Sequence, residues 1–535
     1  MSLSRRVFIR GTLAASLCWP FVARAQDRST GYRVFGYGVA SGDPLADRVV
    51  LWTRVAPSAD AEVEVRWQVA RDTGMQQLVA RGTQPTTRAR DFTVKVDVAG
   101  LEPATTYYYQ FEAIGTRSPI GRTRTLPVGR VGRVRLAVAS CSNYPWGYFN
   151  AYRRIAERAD LDAVLHLGDY IYEYQNGEYG DGTSLGRVPL PDKEMITLAD
   201  YRLRHATYKG DPDLQEAHRQ HPFITVWDDH EVTNNPWVGG AENHNPDEGE
   251  GDWLARRAVA VRAYFEWMPI RDPGMTRQLQ IYRAFPFGDL LDLVMLDTRL
   301  TGRDQQVARE DVTALSSPSR TLLGPAQEAW LGGELIASKQ AEVRWRVLGQ
   351  QVMFGPTFHP EGGIRNPDAW DGYQAARQRL FDLFARERLD NLVVLTGDVH
   401  SSWALDVAPD PQSKAAYDPD TGRGALAVEY VTPGITSPGA YTNEPDKAES
   451  GLAPVRARNP HIKLIEAVHR GYMIVDVTPE RAQAEWFFTP NVTERTTEER
   501  FAAAFATAAG APHVVAVPRP LPPRTDSRPL APDSP

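Results

Sequence analysis

DAVLHLGDYIYEY, residues 162–174, is the segment from which the architecture of this chain can be inferred. Its apolar residues 163–167 lead directly into Gly168 and Asp169, a pattern that predicts a buried strand with a carboxylate just beyond its end. Tyr172 follows three residues later, so one turn carries two oxygen donors suited to a hard metal ion. The alternative is an ordinary turn with Tyr172 in the core, and this segment alone favours neither.

Three further predicted strands are also followed by residues that can bind a metal ion. Apolar segments precede Cys141, residues 228–231 (DDHE) and residues 397–400 (GDVH). In sheets whose faces are covered by helices, ligands bind beyond the carboxyl ends of the strands. Unpaired carboxylates are costly to bury, so core packing accounts poorly for all of these ends together. The pattern therefore predicts a metal or catalytic site.

Apolar strands alternate with helical patterns from residue 131 onward, which predicts an α/β domain whose sheets are covered by helices. Helices are expected at residues 148–159 and 197–208. The predicted strands are residues 133–140, 163–167, 223–227, 290–296, 345–348 and 392–396. A second sheet is expected to be completed by residues 425–431, 472–477 and 484–488. The long polar loop 175–192 is typical of segments that rim or cover a site.

Residues 35–126 have a different pattern, in which short alternating segments are separated by turn residues. This pattern predicts a small antiparallel β-sandwich, which we assign to residues 32–127. Residues 100–107, GLEPATTY, resemble the segment that leads to the tyrosine corner of fibronectin type III domains. The resemblance implies that the hydroxyl of Tyr107 ties its strand to a nearby loop.

The composition is that of a folded protein, because 42% hydrophobic residues with 24% charged residues excludes both a disordered and a membrane-embedded chain. The net charge is -7, and the sequence contains no block of clustered Lys and Arg. Both observations argue against nucleic acid or an anionic membrane as the main partner. A substrate that carries phosphate would need positive charge from a bound metal or from a few local residues.

The two termini have compositions of their own. Residues 1–25 combine the pair Arg5 and Arg6, a short apolar stretch and a small-residue pattern ending at Ala25, which predicts a signal peptide. Its start resembles the twin-arginine type, whose pathway exports folded proteins, and we expect no lipid anchor. Residues 511–535 are rich in proline and are predicted to be a disordered tail.

Cysteine usage points to one special thiol. The chain contains only Cys18 and Cys141, and cleavage of the signal peptide would remove the first. A single cysteine in an exported protein is either buried and inert or kept for its chemistry, as a nucleophile or a metal ligand. Both alternatives remain open for Cys141 from its position in the sequence.

The strand ends resemble the motifs of the metallophosphoesterase superfamily. GDYIY keeps the GDxxY motif, WDDHE stands in place of GNHE, GDVH stands in place of GHxH, and Cys141 replaces the first Asp. With VASCSNYP at 138–145, WDDHEVTNN at 227–235 and GDVHSSW at 397–403, the chain resembles the PhoD-type alkaline phosphatases. The resemblance implies a four-layer α/β/β/α catalytic domain over residues 131–490, preceded by the fibronectin type III-like sandwich.

The resemblance also implies a mixed metal centre. A thiolate, a phenolate, a carboxylate and a neutral imidazole suit Fe³⁺, and they are supplied by Cys141, Tyr172, Asp169 and His400. Asp169 would bridge to Ca²⁺, which prefers oxygen ligands. The expected calcium ligands are Asp229, Asp398 and the amide oxygen of Asn235, which is alternatively a turn residue. Whether Asp228 or Gln350 also binds metal is left open.

The implied reaction is hydrolysis of phosphate monoesters by a metal-bound hydroxide. His230 is the expected proton donor, with Glu231 orienting it, and Asn143 and His230 are expected to contact the substrate. The resemblance implies a periplasmic or secreted phosphate-scavenging enzyme whose partners are small phosphate esters and the twin-arginine export machinery. The alternatives are a phosphodiesterase acting on lipid head groups, teichoic acid or nucleic acid, and an exported binding module with a structural metal.

Overall fold

The computed structural model describes residues 34–274 and 279–533, so the predicted signal peptide lies outside the described residues. The strands are β1 Val39–Gly42, β2 Arg48–Arg54, β3 Val63–Ala70, β4 Leu78–Thr86, β5 Thr93–Ala99, β6 Thr106–Ala113, β7 Thr116–Arg117, β8 Gly121–Arg124, β9 Val134–Ala139, β10 Ala163–His166, β11 Pro222–Thr225, β12 Pro236–Trp237, β13 Gly240–Ala241, β14 Arg283–Phe287, β15 Leu291–Met295, β16 Trp345–Gln350, β17 Leu392–Thr396, β18 Ser402–Val407, β19 Ala427–Val431, β20 Ile462–Glu466, β21 Gly471–Val477, β22 Arg481–Phe488, β23 Arg500–Ala508 and β24 Val515–Val517. The helices are α1 Asn150–Ala156, α2 Leu198–Lys209, α3 Pro212–Gln220, α4 Trp253–Trp267, α5 Val312–Leu315, α6 Gly324–Gln340, α7 Gln374–Arg386 and α8 Ala448–Arg458. Among the described residues, no helix combines the length and the apolar character needed to cross a membrane.

The larger sheet has ten strands in the order β24-β23-β22-β21-β9-β10-β11-β1-β2-β5. At its centre β9, β10 and β11 are parallel, and Val164 of β10 lies between Ala137 of β9 and Phe223 of β11. Because these strands are parallel and in register, their carboxyl ends meet at one edge of the sheet. The segments that follow these strands therefore emerge side by side.

The smaller central sheet has seven strands in the order β14-β15-β16-β17-β19-β18-β20, of which β15, β16, β17 and β19 are parallel. The prediction that residues 472–477 and 484–488 belong to this second sheet is wrong. They form β21 and most of β22, and β21 pairs antiparallel with β9 in the ten-stranded sheet. An apolar strand pattern is the same for either sheet, because the choice of pairing partner is made by tertiary packing.

The core is formed where the two central sheets face each other. One buried cluster joins Val164 and Leu165 of β10 with Val347 of β16 and Val393 of β17, and it also includes residues of helices α1 to α4. A second cluster joins the other face of the seven-stranded sheet, for example Val394, to helices α6, α7 and α8. Strand residues buried on both faces account for the nearly continuous apolar runs in the sequence.

The predicted sandwich of residues 32–127 is described from residue 34 onward, and its strands are divided between two sheets. Strands β1, β2 and β5 extend the ten-stranded sheet, and β3, β4, β6, β7 and β8 form a separate five-stranded sheet. The two layers pack through a shared apolar cluster. The backbone N–H of Glu102 donates a hydrogen bond of 2.9 Å to the hydroxyl of Tyr107, as expected of a tyrosine corner.

The prediction that residues 511–535 form a disordered tail is wrong for their described part, residues 511–533. They include β24, which pairs with β23, and then run across the protein. The carbonyl of Pro522 accepts a hydrogen bond of 3.1 Å from buried Arg135, and buried Gln220 exchanges two hydrogen bonds with the backbone of Ala531. Proline lacks an N–H group but keeps its carbonyl, so a proline-rich segment can satisfy buried donors.

Shortening the chain so that it ends at Pro520 is expected to destabilise the protein, because Arg135 would lose the Pro522 carbonyl and Gln220 would lose both bonds to Ala531, which leaves Oε1 of Gln220 without a donor. Each buried polar group left without a partner costs about 1–3 kcal/mol in the free energy of unfolding. Urea unfolding followed by circular dichroism measures the loss. The matched control is Thr525→Ala, which changes an exposed side chain of the same segment and should leave the midpoint in place. An unchanged midpoint in the shortened chain would contradict this role.

Candidate active site

The site lies where the carboxyl ends of strands from both central sheets approach each other. Two glycines allow this approach. A Cβ atom at Gly168, whose φ is +102°, would lie only 2.3 Å from the Cβ of Asp228, so the segments after β10 and β11 touch. A Cβ at Gly397, after β17, would lie 3.1 Å from the Cβ of Ser140, after β9. The segments after β9, β10, β11 and β17 therefore converge in one place.

The predicted donors have an uncommon backbone conformation. Cys141, Asp169, Asn235, Asp398 and His400 all have positive φ angles, between 50° and 59°. The left-handed region is sparsely populated by residues other than glycine, and such conformations concentrate at functional sites. Here the sharp turn after each strand brings the donor side chain back toward the meeting point of the strands.

The first group of donors contains Cys141, Asp169, Tyr172 and His400. One ligand atom each of Cys141, Asp169 and His400 lies within 4.8 Å of the other two. The Tyr172 hydroxyl donates a hydrogen bond of 2.8 Å to Asp169 Oδ2 and lies 3.3 Å from His400 Nε2. The structure therefore brings together all four residues that were predicted to hold iron.

The second group of donors consists of carboxylates. Ligand oxygens of Asp228, Asp229 and Asp398 lie within 4.8 Å of one another. Asp169 forms a third such group with Asp229 and His230, so it belongs to the surroundings of both predicted metal positions. This position is the one that a bridging carboxylate requires.

Arg299 is completely buried and contacts several of these carboxylates. Its guanidinium donates hydrogen bonds to Asp228, to Asp398 at 2.7 Å and to Asp368 at 2.7 Å, and it lies 3.7 Å from Asp229. Burial alone would lower the pKa of Arg299, but these carboxylates outweigh it and hold that pKa above its usual value. The guanidinium is therefore a permanent cation at this site.

The carboxylates are nevertheless not fully satisfied. Asp169 Oδ1, Asp228 Oδ2 and Asp229 Oδ1 are buried without a hydrogen-bond partner. Burial also raises the pKa of the Cys141 thiol well above its usual value and raises the pKa of Asp398 to about 6, against the opposing effect of the buried guanidinium. Unpaired buried oxygens are costly and need an explanation. A bound cation would supply the missing partner and favour the anionic forms, so the donor set fits metal ions.

His230 is positioned by a carboxylate that was not predicted from the sequence. Its Nδ1 lies 2.7 Å from Oε2 of Glu173, and its Nε2 lies 4.0 Å from Oδ2 of Asp229. Glu173 is buried and also accepts a hydrogen bond of 2.7 Å from the backbone N–H of Asn234. Burial alone would lower the pKa of His230, but the charges of Asp229 and Glu173 outweigh burial and raise this pKa well above 6.5.

The prediction that Glu231 orients the neighbouring histidine is wrong. The Glu231 carboxylate accepts hydrogen bonds from the backbone N–H groups of Asp169, Tyr170 and Asp228, at 3.2, 2.6 and 2.8 Å. Converging N–H groups at two strand ends are buried donors that need an acceptor, and the carboxylate provides it. Glu231 thus ties the segment after β10 to the segment after β11.

Three other predicted residues have distinct positions. The prediction that Asn143 contacts substrate is wrong, because its side chain is 1% exposed and donates a 3.0 Å hydrogen bond to the Tyr179 carbonyl. Both ends of the Gln350 side chain are hydrogen-bonded within the protein, so its amide is not free to bind metal. Asn235 lines the cleft, and its Nδ2 donates to Glu242 at 2.6 Å.

The donors open into a surface cleft with a volume of about 340 Å³. Its lining residues are Asp169, Tyr174, Tyr179, Asp229, His230, Asn234, Asn235, Asn366, Asp368, Asp398 and His400. Tyr179 comes from the long polar loop 175–192, which was expected to rim the site. The cleft therefore gives solvent and ligands access to both donor groups.

Comparison with known proteins assigns this arrangement to a family. The profile described as PhoD-like phosphatase matches residues 136–486, and the profile for the N-terminal domain of the same family matches residues 22–127. The chain belongs to the PhoD-like phosphatase family. Its sequence is 38% identical over 527 residues to alkaline phosphatase D of Bacillus subtilis (strain 168), covering 92% of this chain and 85% of that protein.

The fold agrees with this assignment to the PhoD-like phosphatases. A solved structure titled "Structure of PhoD" superposes with a TM-score of 0.81 at 37% identity, covering 92% of this chain and 94% of the other. The predicted family, the mixed α/β fold and phosphatase activity are confirmed. The chain is thus a phosphatase of the alkaline phosphatase D type.

Two charged residues beneath the donors of this PhoD-like phosphatase were not predicted from the sequence. Arg299 follows β15 in the segment Asp297-Thr298-Arg299, so its sequence does contain the signal of polar residues after an apolar strand. Asp368 belongs to a segment without regular structure, and no local pattern in the sequence indicates its role. Its carboxylate accepts hydrogen bonds from Arg299, Arg303 and Gln306.

Replacing Arg299 by leucine is expected to destabilise the metal-free protein by about 3–5 kcal/mol, because it leaves buried carboxylates without their cation. Addition of calcium should recover part of this loss. Urea unfolding with and without a chelator measures both effects. Arg309→Leu is the control, since Arg309 forms an exposed ion pair with Glu310 and its removal should cost less than about 0.5 kcal/mol. Equal stability of the two variants would contradict the role given to Arg299.

Proposed function

We propose that this PhoD-like phosphatase hydrolyses phosphate monoesters with the help of metal ions held in the cleft. The observation that carries the proposal is the convergence of three unpaired buried carboxylate oxygens with a thiol, a phenol and an imidazole. The groups lie at one accessible cleft and come from strands of two different sheets. A purely structural role would not need donors that remain unpaired at an open cleft.

The two donor groups favour different ions. Cys141, Asp169, Tyr172 and His400 offer three anionic donors and an imidazole, a set suited to Fe³⁺. Asp229 and Asp398, with Asn235 beside them, offer oxygen donors suited to Ca²⁺, and Asp228 adds a fourth oxygen ligand. When bound, the ions would lower the pKa of a water molecule and neutralise the charge of the phosphate.

His230 is proposed to donate a proton to the leaving oxygen of the substrate. Its ring lies in the cleft, and its Nδ1 is held 2.7 Å from Glu173. Its Nε2 therefore faces the carboxylate of Asp229. The Glu173 carboxylate fixes the orientation of the ring and stabilises its protonated form. The ring also stacks on Tyr172 at a centroid distance of 4.3 Å, which limits its rotation.

We also infer the finer features of the fold and the cellular location. The two apolar clusters on either side of the seven-stranded sheet support a four-layer α/β/β/α arrangement, and the Tyr107 hydrogen bond supports the likeness of the N-terminal region to fibronectin type III domains. The Arg-Arg pair and the apolar segment in residues 1–25 support export of the folded enzyme by the twin-arginine pathway, for phosphate scavenging outside the cytoplasm.

The purified enzyme is expected to contain iron and calcium, and chelation of calcium should abolish its turnover of p-nitrophenyl phosphate. Added calcium should restore turnover, with magnesium as the matched control because it demands a more rigid octahedral site. Elemental analysis and initial rates provide the measurements. The rate on bis-p-nitrophenyl phosphate tests the diesterase alternative. Zinc as the only metal, or bound metal without turnover of either ester, would refute the proposal.

Glu173→Gln should lower kcat mainly on substrates with poor leaving groups, because the amide no longer stabilises protonated His230. We expect a loss of about 10- to 100-fold on phenyl phosphate. The loss on p-nitrophenyl phosphate should be much smaller, because its leaving group departs without a proton. Steady-state kinetics over a series of substituted phenyl phosphates measures this dependence.

Glu178→Gln is the control for this variant, since Glu178 is an exposed glutamate of the adjoining loop. It should leave the dependence on the leaving group unchanged. If Glu173→Gln slowed all members of the series by the same factor, Glu173 would have a structural role and not the orienting role proposed here.

A further inference from the structure

One wall of the cleft is aromatic. The rings of Tyr174 and Tyr179 lie 5.7 Å apart between centroids, and both are half-buried. Tyr174 lies 5.5 Å and Tyr179 lies 6.3 Å from the ring of His230, the proposed donor to the leaving group. The aromatic wall therefore stands on the side of the cleft where the leaving group of a substrate would be found.

The Tyr179 ring is held in a fixed position. Its hydroxyl lies 3.3 Å from Nδ1 of His400, and its carbonyl accepts a hydrogen bond of 3.0 Å from buried Asn143. Gly180, the next residue, packs so closely on Trp146 that a Cβ there would lie 2.7 Å from the indole. A ring fixed in this way offers a flat surface at low entropic cost.

Other lining residues of the cleft are amides. Asn234 and Asn366 line it, and within the described residues no hydrogen bond occupies the Asn234 side chain or Nδ2 of Asn366. Free amide groups donate and accept hydrogen bonds at the edge of a polar ring or at sugar hydroxyls. The combination of a flat aromatic surface with unpaired amides is suited to a nucleoside.

The charge of the cleft indicates which leaving groups it can accept. The residues that line it include no Lys or Arg, and Arg299 below them is already bound to carboxylates. A leaving group with further phosphates would extend beyond the proposed metal ions, toward a lining that offers no Lys or Arg to pair with them. The volume of about 340 Å³ is near the lower limit of ligand sites, roughly 300–1,000 Å³, so the enclosed part of the cleft suits a small ligand.

We propose that the preferred substrates are nucleoside monophosphates, whose base stacks on the ring of Tyr179 beside the ring of Tyr174, which stands at an angle of 69° to it. The proposal rests on the proposed function, since it assigns the leaving-group side of the same site. It predicts a substrate order in which 5′-AMP is better than ribose 5-phosphate, and ribose 5-phosphate is better than ATP. The first two share a primary alkoxide leaving group and the ribose, so the difference between them measures the base alone.

The test compares kcat/KM of the metal-loaded enzyme and its Tyr179→Leu and Tyr174→Leu variants on these substrates. Loss of base stacking should lower kcat/KM for 5′-AMP by about 5- to 100-fold. Relative to the matching phenylalanine variant, which also lacks the hydroxyl, the value for ribose 5-phosphate should change by less than about threefold, because this substrate has no base to stack. Adenosine should inhibit the unmodified enzyme more strongly than it inhibits either variant.

The phenylalanine variants Tyr179→Phe and Tyr174→Phe are the matched controls, because they keep the ring and remove the hydroxyl. They should retain the preference for 5′-AMP over ribose 5-phosphate, even where Tyr179→Phe lowers both rates through lost contact with His400. Equal kcat/KM for 5′-AMP and ribose 5-phosphate in the unmodified enzyme would overturn the proposal, as would equal losses on both in the leucine variants. Failure of the proposed function is distinguishable, because no phosphate would then be released from any substrate.

Discussion

The ion pairs of Arg299 are the interaction on which the active site depends. Four carboxylates, those of Asp228, Asp229, Asp368 and Asp398, lie around one buried guanidinium. Without a cation these groups would repel one another, and burial would drive them toward the neutral form. The guanidinium cannot lose its proton, so it holds the carboxylates together before any metal arrives. Metal ions then have to complete a site that is already assembled.

The assembly of the site follows from the topology of the sheets. Parallel strands in register place their carboxyl ends at one edge of a sheet. Because the two central sheets face each other, strand ends of both sheets meet at this edge. Left-handed turns after the strands redirect the side chains, and such conformations persist only where the surroundings hold them. The buried hydrogen bonds of Glu231 to three backbone N–H groups provide part of that support. Fold and site are therefore products of the same strands.

Much of this could be predicted from the sequence, because apolar runs locate buried strands and polar residues directly after them locate the site. β9, β10, β15 and β17 begin and end within one residue of their predicted bounds. The donors predicted after β9, β10, β11 and β17 do converge. Pairing partners were harder to predict, since β21 and β22 have a pattern that suits either sheet. Glu173 and Glu231 both stand one residue from a predicted functional side chain, and only the structure distinguishes which of them contacts His230. The order of residues 521–532 was not predicted, because a proline-rich composition usually indicates disorder. Only the structure shows the buried donors to which the carbonyls of these residues bind.

The contacts of residues 521–532 have a consequence for the order in which the protein folds. Pro522 and Ala531 pair with Arg135 and Gln220, which precede them by 387 and 311 residues. A chain still emerging from the ribosome would lack these contacts until synthesis had passed residue 531. Docking of this segment is therefore a late step in folding. If the enzyme leaves the cytoplasm already folded, as proposed above, this segment docks before export.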